Sequence, residues 1–335
     1  MNQKKNLSMK EIAELCNVSV ATVSRVINQN GRFSKETEEK VRAVIKEYGY
    51  KTNMVAKSLR MRQSKSIGVI VPDIKNEFFS SIVLEIENFF FSEGYSVFIC
   101  NTNNEEEKEQ EYLKSLDAKN VDGLIYISGN EDLSLHSLHR NIPIVCIDRK
   151  PNIDENIAIV ESDNYVGGYI AAEKLINEGC KNILLIRSRK DLSTIRLRYK
   201  GYADALKKGN LKVRDELIID LTYTTFEEAK VAVDKFIKEG ITFDGVFATN
   251  DWLALGALIA MRENNISVPQ DVKIIGFDNI SISKYSYPSI TTIDQNKKKL
   301  GEEAANALLN FINKEETRAK LDIVIPVKLI ERETT

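Results

Sequence analysis

No apolar run in this 335-residue chain approaches the roughly 20 residues needed to cross a bilayer, which excludes helical membrane spans. The first residues, MNQKKNLSMKEIAELC, carry basic charge but no apolar segment and no small-residue cleavage site. A secretory signal is therefore not expected, and the cytoplasm is the expected compartment. Cysteine is scarce: Cys16, Cys100, Cys146 and Cys180 stand singly, three of them in or beside apolar runs, and none forms a C-x-x-C pair. That argues against a disulfide framework and suits a reducing compartment. The only histidines, His136 and His139, lie three apart on what reads as a surface helix with few ligand-type neighbours, so no metal site is expected. The glycine signatures of catalysis are missing as well. G-x-x-x-x-G-K-[ST] and G-x-S-x-G do not occur, and the first strand runs into Pro72-Asp73-Ile74-Lys75-Asn76 rather than G-x-G-x-x-G. Neither an enzyme nor a cofactor is expected.

What is present is a charge split. Residues 1–65 hold 14 Lys and Arg against 6 Asp and Glu, while the remainder holds 33 against 43. A basic segment on an acidic body points to nucleic acid or a membrane surface. The pattern of the basic segment decides between them.

Ser8-Met9-Lys10-Glu11 has the form of a capping box, predicting a helix from Met9 with Ile12, Ala13, Leu15 and Cys16 on its apolar face. Asn17-Val18-Ser19 makes a short turn, and Ser19 caps a second helix over 20–28 with Val23, Val26 and Ile27 inward. A third helix over 34–48 is capped by Ser34, turns Val41, Val44, Ile45 and Tyr48 inward and stops at Gly49. Two short helices about a three-residue turn, with a third as buttress, read as a helix-turn-helix. The outward face of the second helix carries Ala21 and Arg25, flanked by Val20 and Ser24. Arg25 has the donors for guanine O6 and N7, and Val20 or Ala21 suits a thymine methyl. On helices alone a plain three-helix bundle fits equally well; the basic charge favours DNA. Asn53 can cap a further helix of about two turns, too short to be stable alone. It carries Lys57 and Leu59, and the leucine could wedge between base steps in the minor groove or belong to a plain charged linker.

The segment LSMKEIAELCNVSVATVSRVINQNGRFSKETEEKVRAVIKEYGYKTNMVAKSLR resembles the DNA-binding headpiece and hinge of the lactose/galactose-repressor family, through V-S-x-x-T-V-S-R-V-I-N and G-Y-x-x-N-x-x-A-x-S-L-R. The resemblance implies that Val20, Ala21 and Arg25 read bases and that Thr22 and Ser24 contact phosphate or support the helix. Leu59 would be the minor-groove lever, with Asn53 and Lys57 on the same hinge. Thr52 stands where the family usually has proline.

From Ser66 onward apolar runs (67–71, 97–100, 123–127, 144–147, 183–186, 245–248 and 274–277) alternate with amphipathic stretches such as 78–91, 165–178, 199–208, 226–239 and 252–264. This predicts doubly wound parallel sheets. Val121-Asp122-Gly123 is echoed by Phe243-Asp244-Gly245, and Cys146-Ile147-Asp148 by Gly276-Phe277-Asp278, so two similar α/β halves with a cleft between them are expected. Ligands of such sheets bind beyond the carboxyl ends of the strands. Asp73, Asp148-Arg149, Arg187 to Arg189, Asn250-Asp251 and Asp278-Asn279 fall there; their polar groups suit sugar hydroxyls, and Phe78, Phe79 or Trp252 could stack on a ring.

The family resemblance extends over this region through I-G-V-I-V-P-D-I-x-N-x-F-F, R-Y-K-G-Y, A-T-N-D-W-L-A-L-G and I-I-G-F-D-N. It implies a periplasmic-binding-protein-like core whose effector pocket is lined by Phe78, Phe79, Arg149, Arg198, Asn250 and Asp278, with Asp73 and Trp252 as further candidates. The expected division is a headpiece over 1–52, a hinge over 53–65 and a core over 66–335. The chain would cross between the halves of the core near 163–166, 293–297 and 323–326, giving one half as 66–163 plus 297–323 and the other as 166–293 plus 326–335. The expected partners are operator DNA, a small-molecule effector and a second copy in a homodimer. A repressor whose DNA affinity is switched by a sugar such as ribose or a sucrose-like saccharide fits best. A purine or a phosphoprotein corepressor stays open as the effector, and a transporter's sugar receptor is the rival from another class.

Overall fold

The computed structural model describes residues 7–50, 63–127, 138–149, 157–314 and 321–335. The chain divides into two compact units, Met1–Ser64 and Lys65–Thr335.

In the smaller unit, helix α1 (Met9–Cys16) starts at a complete capping box. The Ser8 hydroxyl accepts the Glu11 amide at 3.2 Å, and the Glu11 carboxylate accepts the Ser8 amide at 2.7 Å. Ser19 and Ser34 cap α2 (Val20–Asn28) and α3 (Lys35–Tyr48), each accepting an amide three residues on at 3.1 Å. Such caps are each worth about 1 kcal/mol. Gly49, at φ +65°, ends α3. Ile12, Ala13, Cys16, Val23, Val26 and Val41 form the core. Two expected core residues lie outside it: Leu15 is 50% and Tyr48 36% exposed. Leu15 falls to the flank of the stripe that Ile12, Ala13 and Cys16 make at the helical period, and Tyr48 sits in the last turn of a helix whose buried residue, Val41, is near its middle.

The larger unit holds two six-stranded sheets. The first contains β1 (Ser66–Val71), β2 (Ser96–Asn101), β3 (Gly123–Ile127), β4 (Ile144–Ile147), β5 (Ala158–Ser162) and β11 (Asp322–Ile325), in the order β11-β5-β4-β3-β1-β2 with all pairs parallel. The second contains β6 (Ile183–Ser188), β7 (Ile218–Leu221), β8 (Gly245–Ala248), β9 (Lys273–Phe277), β10 (Thr291–Asp294) and β12 (Lys328–Ile330), in the order β12-β10-β9-β8-β6-β7. Only its edge strand β12 runs antiparallel, against β10.

Strand alternation explains why the runs are apolar without a break. Ile67, Val69, Val71, Ile125, Ile127, Val145 and Ile147 face one layer; Ile70, Leu124, Tyr126, Ile144 and Cys146 face the other. Strands inside a sheet covered on both sides leave no position for a polar residue, whereas the edge strand β2 leaves Phe98 and Ile99 exposed. Helices α4 (Glu77–Ser92) and α11 (Lys297–Asn313) cover the first face, and α5 (Glu106–Ala118) covers the second. Around the other sheet, α6 (Asn164–Asn177) and α7 (Ser193–Lys208) pack on one side, and α8 (Phe226–Lys238) and α9 (Asp251–Glu263) on the opposite side, with the short α10 (Ser281–Tyr285) following β9. Helix α7 begins six residues earlier than its amphipathic stretch from Tyr199 suggests. The chain passes between the sheets after Ser162, after Asp294 and after Ile325.

The internal echoes correspond to repeated hydrogen bonding. Asp148 and Asp278 end equivalent strands; each donates its amide to the neighbouring strand at 2.9 Å, to Val160 and Ile293 respectively, and each has positive φ, +73° and +103°. Asp122 accepts the Lys65 amide at 2.8 Å, and Asp244 accepts those of Lys181 and Asn182. All four cysteines are free thiols and buried, which pushes Cys146 up to about 12 and leaves it no thiolate at neutral pH. His139 sits in a loop rather than on a helix, its amide donating to Asp117, and His136 lies outside the described residues. Among the described residues no cluster of three His, Cys, Asp or Glu could hold a metal, and no helix is long and apolar enough to cross a membrane.

Candidate functional site

Helix α2 presents one exposed face. Ala21 and Arg25 lie in solvent, Val20 is exposed beside them, and Thr22 and Ser24 are half-buried. The polar flank is tied down within the unit. Thr22 Oγ1 shares a 2.9 Å hydrogen bond with Ser19 Oγ, and Asn28 Nδ2 donates to Ser24 at 2.8 Å (carbonyl) and 3.3 Å (hydroxyl). Gly31, at φ +89°, closes the turn after α2; a Cβ there would stand 3.3 Å from Arg25 Cδ, so the arginine stem lies along the turn. The helix thus offers a guanidinium and small apolar groups on a fixed stem. Asn53, Lys57 and Leu59 lie outside the described residues.

In the larger unit a cavity of about 490 Å³ opens between the two sheets, beyond their carboxyl ends. Its size is that of a small-ligand site. The eight candidates implied by the family resemblance, Asp73, Phe78, Phe79, Arg149, Arg198, Asn250, Trp252 and Asp278, all line it, as do Asp148 and Ser188 from the strand ends. Asp73, Phe78, Phe79 and Arg149 come from the first lobe and the other four from the second.

At the base, Arg198 is 6% exposed. Its Nε donates to Asn164 Oδ1 and its Nη1 to the Thr249 carbonyl, both at 2.7 Å, while the guanidinium lies 3.7 Å above the Phe277 ring. Burial lowers the Arg198 pKa, opposed chiefly by the charge of Asp278. Asp278 accepts Gln295 Nε2 at 2.6 Å and stands 3.9 Å from Arg198 Nη1. Burial pushes its carboxyl up to about 7, against the pull of Arg198 and Lys297. Behind it, Asp251 accepts the Thr292 hydroxyl at 2.5 Å and the Ile280 amide at 2.8 Å; burial, then the charge of Asp278, raises it to about 8. Asp251 buttresses the site and does not line it.

The walls are aromatic. Phe78 and Phe79 meet edge to face at 5.3 Å, and Trp252 is 36% exposed. Asn250 caps α9 through its Oδ1, which accepts the Leu253 amide at 2.8 Å. Asp73 accepts the Lys75 amide at 3.0 Å, which shapes the turn before α4. Arg187, Arg189 and Asn279 do not line the cavity. Arg187 is on the other face of β6, paired with Asp220 at 2.7 Å and stacked on Tyr199, and Asn279 is bonded to Asp294 and Arg332. Tyr223, Thr249 and Lys190 also line it, and Asn164 and Gln295 support it. These five belong to no periodic pattern, and only the folded chain brings them together.

Residues 8–53 match the family described as bacterial regulatory proteins, lacI family, and residues 64–333 match the periplasmic binding proteins and sugar binding domain of LacI family. The chain belongs to the LacI family. It is similar to the ribose operon repressor of Halalkalibacterium halodurans, 37% identical over 98% of this chain and 97% of that protein. It is also similar to the transcriptional repressor PurR of Histophilus somni, 34% identical over 97% and 98%. The lac repressor dimer bound to operator and the anti-inducer ONPF superposes with a TM-score of 0.88 at 27% identity, covering 99% of both chains. As a LacI-family member the chain is a DNA-binding transcription regulator with an effector-binding domain, and the reading as a transporter's receptor is not favoured.

Proposed function

We propose that this LacI-family regulator represses a carbohydrate-use operon from the cytoplasm as a homodimer, without catalysing a reaction, and that a sugar in the interlobe cavity switches its operator affinity. In the headpiece, Arg25 would donate to guanine while Val20 and Ala21 contact thymine methyls; Thr22 and Ser24 would hold the helix and face phosphate, with Leu59 as the minor-groove lever and Asn53 and Lys57 as further DNA-binding candidates. In the cavity, Asp278, Asn250, Arg198, Arg149 and Asp73 would pair with hydroxyls, and Phe78, Phe79 and Trp252 would cover the ring.

The observation that carries this reading is the convergence of eight polar and aromatic residues, four from each lobe, on one cavity. A ligand touching both lobes binds one lobe angle better than another, and differential binding of that kind shifts a conformational equilibrium. The similarity to a ribose operon repressor favours a pentose.

The test is operator binding by the purified chain, titrated with D-ribose, other pentoses, disaccharides, sugar phosphates and purine bases. A pentose or disaccharide that shifts the operator affinity supports the proposal. A shift produced only by a purine, or only by an added phosphoprotein, replaces the sugar, and no shift with any of them while DNA binding stays tight overturns the small-molecule switch.

A further inference from the structure

The loop from Asp278 to Ser281 follows β9 of the second lobe, yet two of its strongest attachments come from the first lobe. Lys297 is the first residue of α11, whose apolar side (Leu300, Ala304, Leu308) packs into the core of the first lobe. Its Nζ reaches back and donates to the carbonyls of Asp278 at 2.7 Å and Asn279 at 2.8 Å. Also from the first lobe, Glu77 at the start of α4 accepts the Ser281 amide at 2.9 and 3.0 Å and the Ser281 hydroxyl at 2.8 Å. Both grips are charge-assisted, and such bonds are stronger than neutral ones.

The same loop is anchored in its own lobe. Asp251 accepts the Ile280 amide at 2.8 Å, Arg332 donates to Asn279 Oδ1 at 2.6 Å, and Thr292 Oγ1 takes the Asn279 amide at 3.3 Å. Asp278 has φ +103°, outside the left-handed region that Asn279 occupies at +49°, a backbone state that a non-glycine residue holds only when its surroundings impose it. Gln295, in the segment that leads from β10 back to α11, holds the Asp278 carboxylate itself. A rotation of the lobes that moves Lys297 or Glu77 therefore acts on the residue whose carboxylate faces the cavity.

We infer that the Asp278–Ser281 loop links ligand contact to lobe angle, with Lys297 and Glu77 as positioning residues that grip it from the first lobe. The inference rests on the cavity being the effector site. Neither residue lines the cavity. Their effect is on which lobe angle the empty protein adopts, and through that angle on the placement of Asp278.

The test reads lobe separation in the full chain with no sugar present. Spin labels are placed on Glu106→Cys in the first lobe and Asp191→Cys in the second, both exposed, while the four native thiols are buried. Lys297→Met and Glu77→Ala should each move the electron–electron distance distribution to longer, broader separations, and Lys297→Arg, which keeps a cationic donor, should restore it. Two results overturn the inference: wild-type distances in both variants, or a lowered thermal midpoint in Lys297→Met with distances unchanged there or in Glu77→Ala. Because no sugar enters the measurement, a sugar panel that fails leaves its outcome readable, and a null here leaves the sugar reading standing.

Discussion

Arg198 and Asp278 face each other across 3.9 Å at the base of the cavity, and the arginine makes its closer hydrogen bonds elsewhere, to Asn164 and Thr249. The pair stands at the long edge of ion-pair contact, so a ligand hydroxyl in the cavity can bridge a cation and a carboxylate that are already desolvated. Hydrogen bonds to a charged group in such a setting contribute about 1.5–3 kcal/mol each.

Asp278→Asn should accordingly weaken sugar binding by roughly 10- to 150-fold, the equivalent of about 1.5–3 kcal/mol. The thermal midpoint should stay level or rise, since burial already disfavours the ionised side chain. Titration calorimetry beside thermal denaturation checks this; unchanged binding with a lowered midpoint would assign Asp278 a structural role only.

The pH dependence of binding carries a sign. In the empty cavity burial holds the Asp278 carboxyl at about 7. A sugar hydroxyl that donates to the carboxylate favours its ionised form, so binding expels a proton and affinity should strengthen as pH rises from about 6 toward 7.5. Trp252 is the only tryptophan in the chain and lines the cavity, so its emission reports occupancy directly. A flat profile in the wild-type protein, or an equal slope in Asp278→Asn, contradicts the assignment.

Gly168 and Gly201 let α6 and α7 touch backbone to backbone. A Cβ on Gly168 would stand 2.1 Å from the Arg198 carbonyl oxygen, and one on Gly201 2.1 Å from that of Tyr165. Gly168→Ala should cost at least the 1–3 kcal/mol usual for overpacking, by chemical denaturation, and should weaken sugar binding because it displaces Arg198. Gly179→Ala, where nothing stands within 4 Å of a Cβ, should keep sugar affinity despite the strain of its φ of +90°. Equal loss of affinity in both variants would break the link to Arg198.

Arg25→Ala should weaken operator binding by about 1–3 kcal/mol and relax the preference at a single base pair, with little change in non-specific affinity. Competition assays with single-base operator variants measure both effects. A uniform loss across all sequences would instead make Arg25 a phosphate contact.

The headpiece was legible almost residue by residue because its signals are local. A serine cap acts on amides three residues away, and Gly49 stops α3 where a positive φ is needed, so the helix bounds of α1 to α3 follow from short stretches of chain. The alternating α/β order of the core, the paired echoes around Asp148 and Asp278, and the eight cavity candidates were legible too, the last chiefly through family resemblance. Strands such as β5, β7, β10, β11 and β12 were harder to read: they are three to five residues long and each carries polar residues, so they show neither a period nor the unbroken apolar run that marks β4 and β8.

The tertiary structure alone decided what lies behind those candidates. Asn164, Thr249, Gln295 and Lys297 orient Arg198 and Asp278 across separations of 17 to 51 positions in the chain. Glu77 meets Ser281 across 204. It also decided that Arg187 turns away from the cavity toward Asp220, a choice of strand face that one polar residue in a short run does not reveal. Periodicity and capping act over a few residues of chain and can be read in order. Hydrogen bonds between lobes depend on where the sheets and crossings bring distant segments together, and that placement exists only once both cores have packed.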